Sequence, residues 1–420
     1  FTEMYGFPLT IYLLSGWLPL GFGASAVPSA NLGDHHAMSP QKTVLVFASS
    51  YLPGFKGGGP VRSISNLVEA LGDDLAFRVV TADRDLGETT AYPGRQAGVW
   101  HTVGKAKVQY LSPEQLRLQN MFRLLRETDC DTVYLNSFFD PRFSVVPLAL
   151  YRYVLRKRPQ VILAPRGEFS SGALGLKAKK KRAFLGASRL LGLHEGITWQ
   201  ASSQHELDDI RAVMGHAATD IRLSPPFPGI LGDLPPPRES RSPEDPLRLV
   251  YLARIVPMKN LLFALEVLAQ VQVRVVFSIY GPCEDQAYWK ACQEAIARLP
   301  RNVSVRENGP LPQSEIPHVL ADQDLLFLPT KGENFGHTIA EALGAGVRVL
   351  ISDRTMWRNL ESEGVGYDLA LESPGSFVRA IETEYYRAHQ ETLRLIGRAY
   401  LARKLELDKL WVANRGLFGL

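Results

Sequence analysis

A chain of 420 residues, 45% hydrophobic and 21% charged, is too long for one ordinary core and suits two globular domains rather than a disordered chain. Its net charge of +4 admits an anionic ligand or a membrane surface as partner without demanding nucleic acid, and none is expected. The three cysteines, Cys130, Cys283 and Cys292, form no CxxC pair and no even disulfide set, which points to a reducing cytosol.

Residues 1–37 stand apart. From Met4 to Gly33 there is no charge, and the apolar run GFPLTIYLLSGWLPLGF is interrupted by proline and glycine. The segment reads either as an extension not native to the protein or as a single membrane anchor. MSPQKTVLVFASS, from Met38, then enters a first strand over 43–49. YLPGFKGGGP follows as a glycine-rich loop. In VRSISNLVEAL, Val61, Ile64, Val68 and Leu71 recur at helical spacing. FRVVTA (77–82), DTVYLN (131–136) and QVILAP (160–165) read as strands, with helices over 114–127 and 145–157 between them. This alternation predicts a parallel sheet wrapped by helices.

The stretch 224–246, SPPFPGILGDLPPPRESRSPEDP, holds too much proline for a helix or central strand and reads as a linker. The pattern then restarts: LRLVYLARI is a strand, NLLFALEVLAQV a helix, and VRVVFSIYG, VSVREN, LLFLP and VRVLIS are further strands. The expected organisation is a Rossmann-like domain over 38–228, a linker over 229–246 and a second Rossmann-like domain over 247–395. A helical tail over 396–420 has the option of packing back on the first domain. Ligands of such sheets bind at the carboxyl ends of the strands, here in the cleft between the halves.

One stretch concentrates the chemistry. In PTKGENFGHTIAEALGAG (329–346) a strand ends, a glycine-bounded turn carries Glu333, and a helix carries Glu341 eight positions on. Glycines let backbone N–H groups approach a ligand, and the new helix aims its positive end at the same point, which suits an anion. Were the whole stretch helical, the two carboxylates would lie roughly 12 Å apart, too far to work as a catalytic pair. Each then accepts hydrogen bonds from a different hydroxyl-bearing part of one long ligand, a shape that fits a nucleotide sugar. The alternative is a solvated helix with surface glutamates, which the apolar setting of Glu341 in IAEALGAG makes awkward. YLARIVPMKN supplies Arg254 at a strand end and Lys259 five residues on, a guanidinium and an ammonium suited to a diphosphate.

With these pieces in place the sequence resembles the family 4 glycosyltransferases of the GT-B fold, α/β proteins with two Rossmann-like domains facing each other across a cleft. The likeness rests on YLARIVPMKN, on the Gly-Pro loop of SIYGPCED, and on GENFGHTIAEALGAGVRVLISD as a Glu-x7-Glu signature. FKGGGPVRSISNLVEAL resembles the N-terminal glycine loop, and TWQASSQHELDDIR the Ser-x-x-Glu helix before the hinge. The resemblance implies that Arg254 and Lys259 hold the donor diphosphate, Glu333 contacts the transferred sugar and Glu341 binds ribose hydroxyls. It implies that Asn334, Phe335, Gly336 and His337 contact sugar and phosphate through their backbone, with Gly58, Gly59 and Gly281 in the donor site. It further implies retention of anomeric configuration, no cofactor and no metal, and a setting in bacterial surface polysaccharide assembly. Many relatives carry a His where this chain reads LNSFFDP (135–141), and SPPFPG replaces an Asn-Gly near the hinge, so the acceptor side departs from the family pattern.

Acceptor-side candidates are Asp83 and Arg84, then Arg166 and Glu168, each pair just past a strand. Asp83–Asp85 and Asp129–Asp131 match the Asp-x-Asp pattern of metal-binding transferases, but such short patterns recur by chance. Lys177, Lys179, Lys180, Lys181 and Arg182 precede the apolar AFLGASRLLGL. They read as a solvated helix face, or as a surface for anionic lipid headgroups that brings a lipid-linked acceptor within reach. The leading expectation is a cytoplasmic transferase, peripheral on the inner face of a membrane, acting on a lipid-linked or saccharide acceptor. A nucleotide-sugar epimerase of the same build and a non-catalytic nucleotide-sugar-binding protein are the alternatives.

Overall fold

The computed structural model describes residues 41–175, 178–229, 242, 244–387 and 393–420. Residues 1–37 and most of the 229–246 linker, as read from sequence, lie outside the described residues. The first sheet is built from β1 (Lys42–Phe47), β2 (Leu75–Ala82), β3 (Trp100–Val103), β4 (Ala106–Leu111), β5 (Thr132–Leu135), β6 (Gln160–Leu163), β7 (Thr198–Ala201) and β8 (Asp220–Leu223). Their order is β3-β4-β2-β1-β5-β6-β7-β8, all parallel except the β3–β4 pair. Its helices are α1 (Gly59–Leu71), α2 (Leu118–Glu127), α3 (Val146–Ala149), α4 (Ser171–Gly175), α5 (Ala178–Leu190) and α6 (Gln204–Met214).

The second sheet is wholly parallel. It runs β11-β10-β9-β12-β13-β14, with β9 at Leu247–Leu252, β10 at Val275–Tyr280, β11 at Val303–Gly309, β12 at Leu325–Leu328, β13 at Arg348–Ser352 and β14 at Gly366–Leu369. Around it lie α7 (Leu261–Leu268), α8 (Gln286–Ile296), α9 (Ile316–Ala321), α10 (His337–Ala345), α11 (Pro374–Tyr386), α12 (Leu393–Leu405) and α13 (Leu407–Leu417). Strands covered on both faces read as unbroken apolar runs, and all four residues of β12 are buried.

Several elements depart from the sequence reading. The 145–157 helix begins at Pro141 as π-helical turns around α3, because Asp140 caps it by accepting from Arg142 N and Phe143 N. The strands β3, β4, β7, β8 and β14 went unread; β3 and β8, at the sheet edges and partly exposed, carry the mixed polar sequences WHTV and DIRL. At the C-terminus, position 396 falls inside α12, which stays with the second domain: a Cβ on Gly397 would lie 2.1 Å from Leu343 O. Beyond it α13 lies against the first domain, where Asn414 Nδ2 donates to Pro225 O at 2.9 Å and Phe418 meets the Phe77 and Tyr134 rings edge-on.

Both sheets change direction beside their first strand, between β1 and β5 and between β9 and β12. The loops leaving these strands diverge there and open a crevice at each sheet's carboxyl edge. Arg254 follows β9 and Glu333 follows β12, so topology alone sets them on either side of one crevice.

Candidate active site

The two crevices face each other across a cavity of about 220 Å³. Gly58, Gly59 and Arg166 line it from the first domain, and Arg254, Lys259, Gly281, Glu333 and His337 from the second.

Lys259 ends the short turn Pro257–Lys259 and ion-pairs with Glu333, both side chains being largely buried. The two functional loops of the second domain are therefore in direct contact. Arg254 is more open and pairs with Glu284 at 3.0 Å. Gly281 has φ +151°, and a Cβ there would stand 1.8 Å from Ala253 O. Only glycine lets the β10 exit cross the β9 exit this closely.

Gly336, at φ +80°, turns the chain into α10. Phe335 is buried against Trp357, whose Nε1 donates to the Phe335 carbonyl at 2.6 Å, so that carbonyl is already engaged. His337 is buried, with Nε2 2.8 Å from Ser63 Oγ of the first domain and Nδ1 without a partner among the described residues. Burial and the nearby Arg62 and Arg166 guanidiniums push its pKa well down, so the ring is neutral at pH 7. Glu341 lies one helical turn further on and pairs with Arg62 at 2.7 Å. Burial raises its carboxyl pKa, and Arg62 opposes that rise.

The first domain meets this wall closely. A Cβ on Gly58, at φ +66°, would sit 3.8 Å from the Arg254 side chain, and one on Gly59 would sit 4.0 Å from the His337 ring. The Asn334 side chain reaches across the cleft, donating to Ser202 Oγ at 2.7 Å and Glu206 Oε2 at 3.2 Å and accepting from Ser203 Oγ. Glu206 also accepts from the backbone N–H groups of Gly167 and Ser202.

The acceptor-side candidates separate. Arg166, held at φ 56°, faces the cavity and donates to Asn136 Oδ1 and Tyr134 OH. Glu168 turns away, accepting from Ser137 Oγ and the Phe138 and Phe139 N–H groups, and burial raises its pKa. Asp83 and Arg84 pair with one another at 2.7 Å instead of facing the cavity, which neither lines. Their neighbour Asp85 does more for the site: it accepts from Phe55 N and Lys56 N and so braces the glycine loop. On α5, Lys179, Lys180 and Arg182 are exposed, whereas Lys181 turns inward to Ala173 O and the Phe139 ring; Lys177 lies outside the described residues.

Arg62 and Ser63 were missed from sequence, since their partners lie 279 and 274 positions away and no local pattern marks them. Asp85 stood in an Asp-x-Asp pattern, which said nothing of its partner Phe55, 30 positions away. The Ser203–Glu206 pair had a visible signal, since Ser203 Oγ caps α6 by accepting from Glu206 N. Among the described residues no group of three or more His, Cys, Asp or Glu is placed to hold a metal ion, and no helix is long and apolar enough to cross a membrane.

Residues 236–385 match the family described as glycosyl transferases group 1. No curated protein matches the sequence. Among solved structures, a sucrose-phosphate synthase from Thermosynechococcus elongatus superposes with a TM-score of 0.62 at 15% identity, over 88% of this chain and 98% of its own. Alr3699/HepE from Anabaena, in complex with UDP-glucose, gives 0.64 at 16% identity over 90% and 98%. WaaG, a glycosyltransferase involved in lipopolysaccharide biosynthesis, gives 0.58 at 14% identity over 90% and 100%. At such identities these likenesses speak for the fold. Residues 236–385 thus resemble the group 1 glycosyl transferases in sequence, and the chain as a whole has the GT-B fold, two Rossmann-like domains around a cleft.

Proposed function

We propose that the protein transfers a sugar, with retention of configuration, from a nucleotide diphosphate to a lipid-linked or saccharide acceptor in surface polysaccharide assembly. The observation that carries this reading is the meeting of Arg254, Lys259 and Glu333 at one cavity wall, with Glu341 one helical turn behind His337. In this reading the diphosphate sits against Arg254, Lys259 and the start of α10. Glu333 meets the sugar and Glu341 the ribose diol. As the glycosidic bond breaks toward an oxocarbenium-like state, negative charge collects on the departing diphosphate. Fixed cations matched to that charge favour the transition state, and no metal ion is called on. The UDP-glucose complex of Alr3699/HepE and the lipopolysaccharide role of WaaG support a donor and a setting of this kind.

The acceptor enters from the side of Arg166. The exposed Lys179, Lys180 and Arg182 of α5 lead to exposed Leu190 and Leu191, and Tyr153 OH donates to Leu191 O. A basic helix that ends in an exposed apolar tip suits an anionic membrane, the inner face of which is the proposed location. Calorimetry with UDP-, GDP- and ADP-sugars tests the donor: saturable binding of one is expected, and affinity for none would defeat the reading.

A further inference from the structure

Arg62 was assigned no part in donor binding, yet it stands in the cavity wall. It lies in the first turn of α1, and its Nη1 donates to Glu341 Oε2 at 2.7 Å and to Thr338 Oγ1 at 3.1 Å, both on α10 of the other domain. The cavity is lined by Arg62 and Thr338 and not by Glu341. The other Glu341 oxygen faces the backbone at Gly229, where a Cβ would come within 3.7 Å. The carboxylate expected to accept from a ribose diol is therefore engaged on one oxygen and covered by the guanidinium that engages it.

We propose that Arg62 is an exchangeable counter-ion for Glu341: it holds that carboxylate in the empty cleft, then yields it to the ribose diol and turns to the diphosphate beside Gly58 and Arg254. The inference rests on the donor reading above. An unpaired carboxylate in a largely buried place is costly, so the empty site needs this partner. An arriving diphosphate offers the guanidinium fork a second, doubly charged acceptor, while the ribose hydroxyls supply Glu341 with replacement donors. Because Arg62 is rooted in the first domain, the exchange links closure of the cleft to the phosphates. The unpartnered His337 Nδ1 in the same wall leaves one more polar atom for a bound group.

The exchange predicts effects of opposite sign on two ligands. Binding of UDP, GDP and ADP, and of uridine, guanosine and adenosine, is to be measured for the wild type, Arg62→Gln and Arg62→Lys, by calorimetry for diphosphates and ligand-observed NMR for nucleosides. A wild type that binds no diphosphate contradicts the donor reading itself. Given wild-type binding, Arg62→Gln should bind its nucleoside several-fold more tightly and the diphosphate about ten-fold more weakly, the loss of roughly one charge-assisted contact. Arg62→Lys, which keeps the charge without the fork, should fall between the two for the diphosphate. Losses for both ligands in both variants, or no change in either ligand, would overturn the proposal.

Discussion

Lys259→Ala removes the ammonium paired with Glu333, where the two side chains are 14% and 17% exposed. Two effects then add. The diphosphate loses a charge-assisted contact, worth about 1.5–3 kcal/mol net. It must also bind near a Glu333 carboxylate that has lost its counter-ion. Unit charges about 4 Å apart interact by about 4 kcal/mol at an effective dielectric of 20, of which only part survives, because wild-type Lys259 is already paired. The expected loss is about 2.5–4 kcal/mol, a roughly 60- to 700-fold weaker nucleoside diphosphate. Glu333→Gln alone removes the repulsion and should bind the diphosphate no worse than wild type. The double variant should recover part of the loss, with a coupling energy of about 1 kcal/mol or more. Calorimetric titration of all four proteins closes the cycle. Lys259→Ala affinity within two-fold of wild type, or additive single effects, would refute a shared site.

Two further outcomes are expected. Changing Lys179, Lys180 and Arg182 together to Glu should abolish co-sedimentation with anionic vesicles while leaving neutral vesicles unaffected, and unchanged co-sedimentation would remove α5 as the membrane surface. Buried His194, stacked on Phe138, has its pKa pushed down to about 4 by burial and by Arg152. Below about pH 6.5 the unfolded chain takes up this proton first, so folding stability should decline from there to about pH 4, by about 3 kcal/mol in all. Glu168 and Glu341, with raised values, contribute with the opposite sign. The measurement is therefore the difference between the urea-unfolding pH slopes of wild type and His194→Phe, and identical slopes would contradict the assignment.

How legible the molecule was depended on the range of each signal. The central strands β9, β10 and β12 lie covered within a parallel sheet and show as apolar runs, and the glycine turn before α10 is a local pattern. These elements already set Arg254, Lys259 and Glu333 at one sheet edge. Side-chain direction was not legible at the same level. Asp83, Arg84 and Asp85 follow one strand, yet Asp85 braces the glycine loop while the other two pair with each other. The basic block on α5 looked uniform as a string, but the helix turns Lys181 inward and its neighbours outward. Contacts across the cleft, such as Arg62 with Glu341 and Asn334 with Glu206, join distant parts of the chain and exist only once two domains have folded and met.

The central claim is that cations from one loop and carboxylates from the next stretch serve a single sugar nucleotide. Its most direct measurement is titration of the wild type and Glu341→Ala with the sugar nucleotide that binds among UDP-, GDP- and ADP-sugars, followed by chromatography of the products. The account predicts saturable wild-type binding that weakens at least ten-fold in Glu341→Ala, the loss of about one buried hydrogen-bonding carboxylate. It also predicts sugar transfer only when an acceptor is present. Equal binding by both proteins, or release of free sugar or an epimer without acceptor, would contradict it.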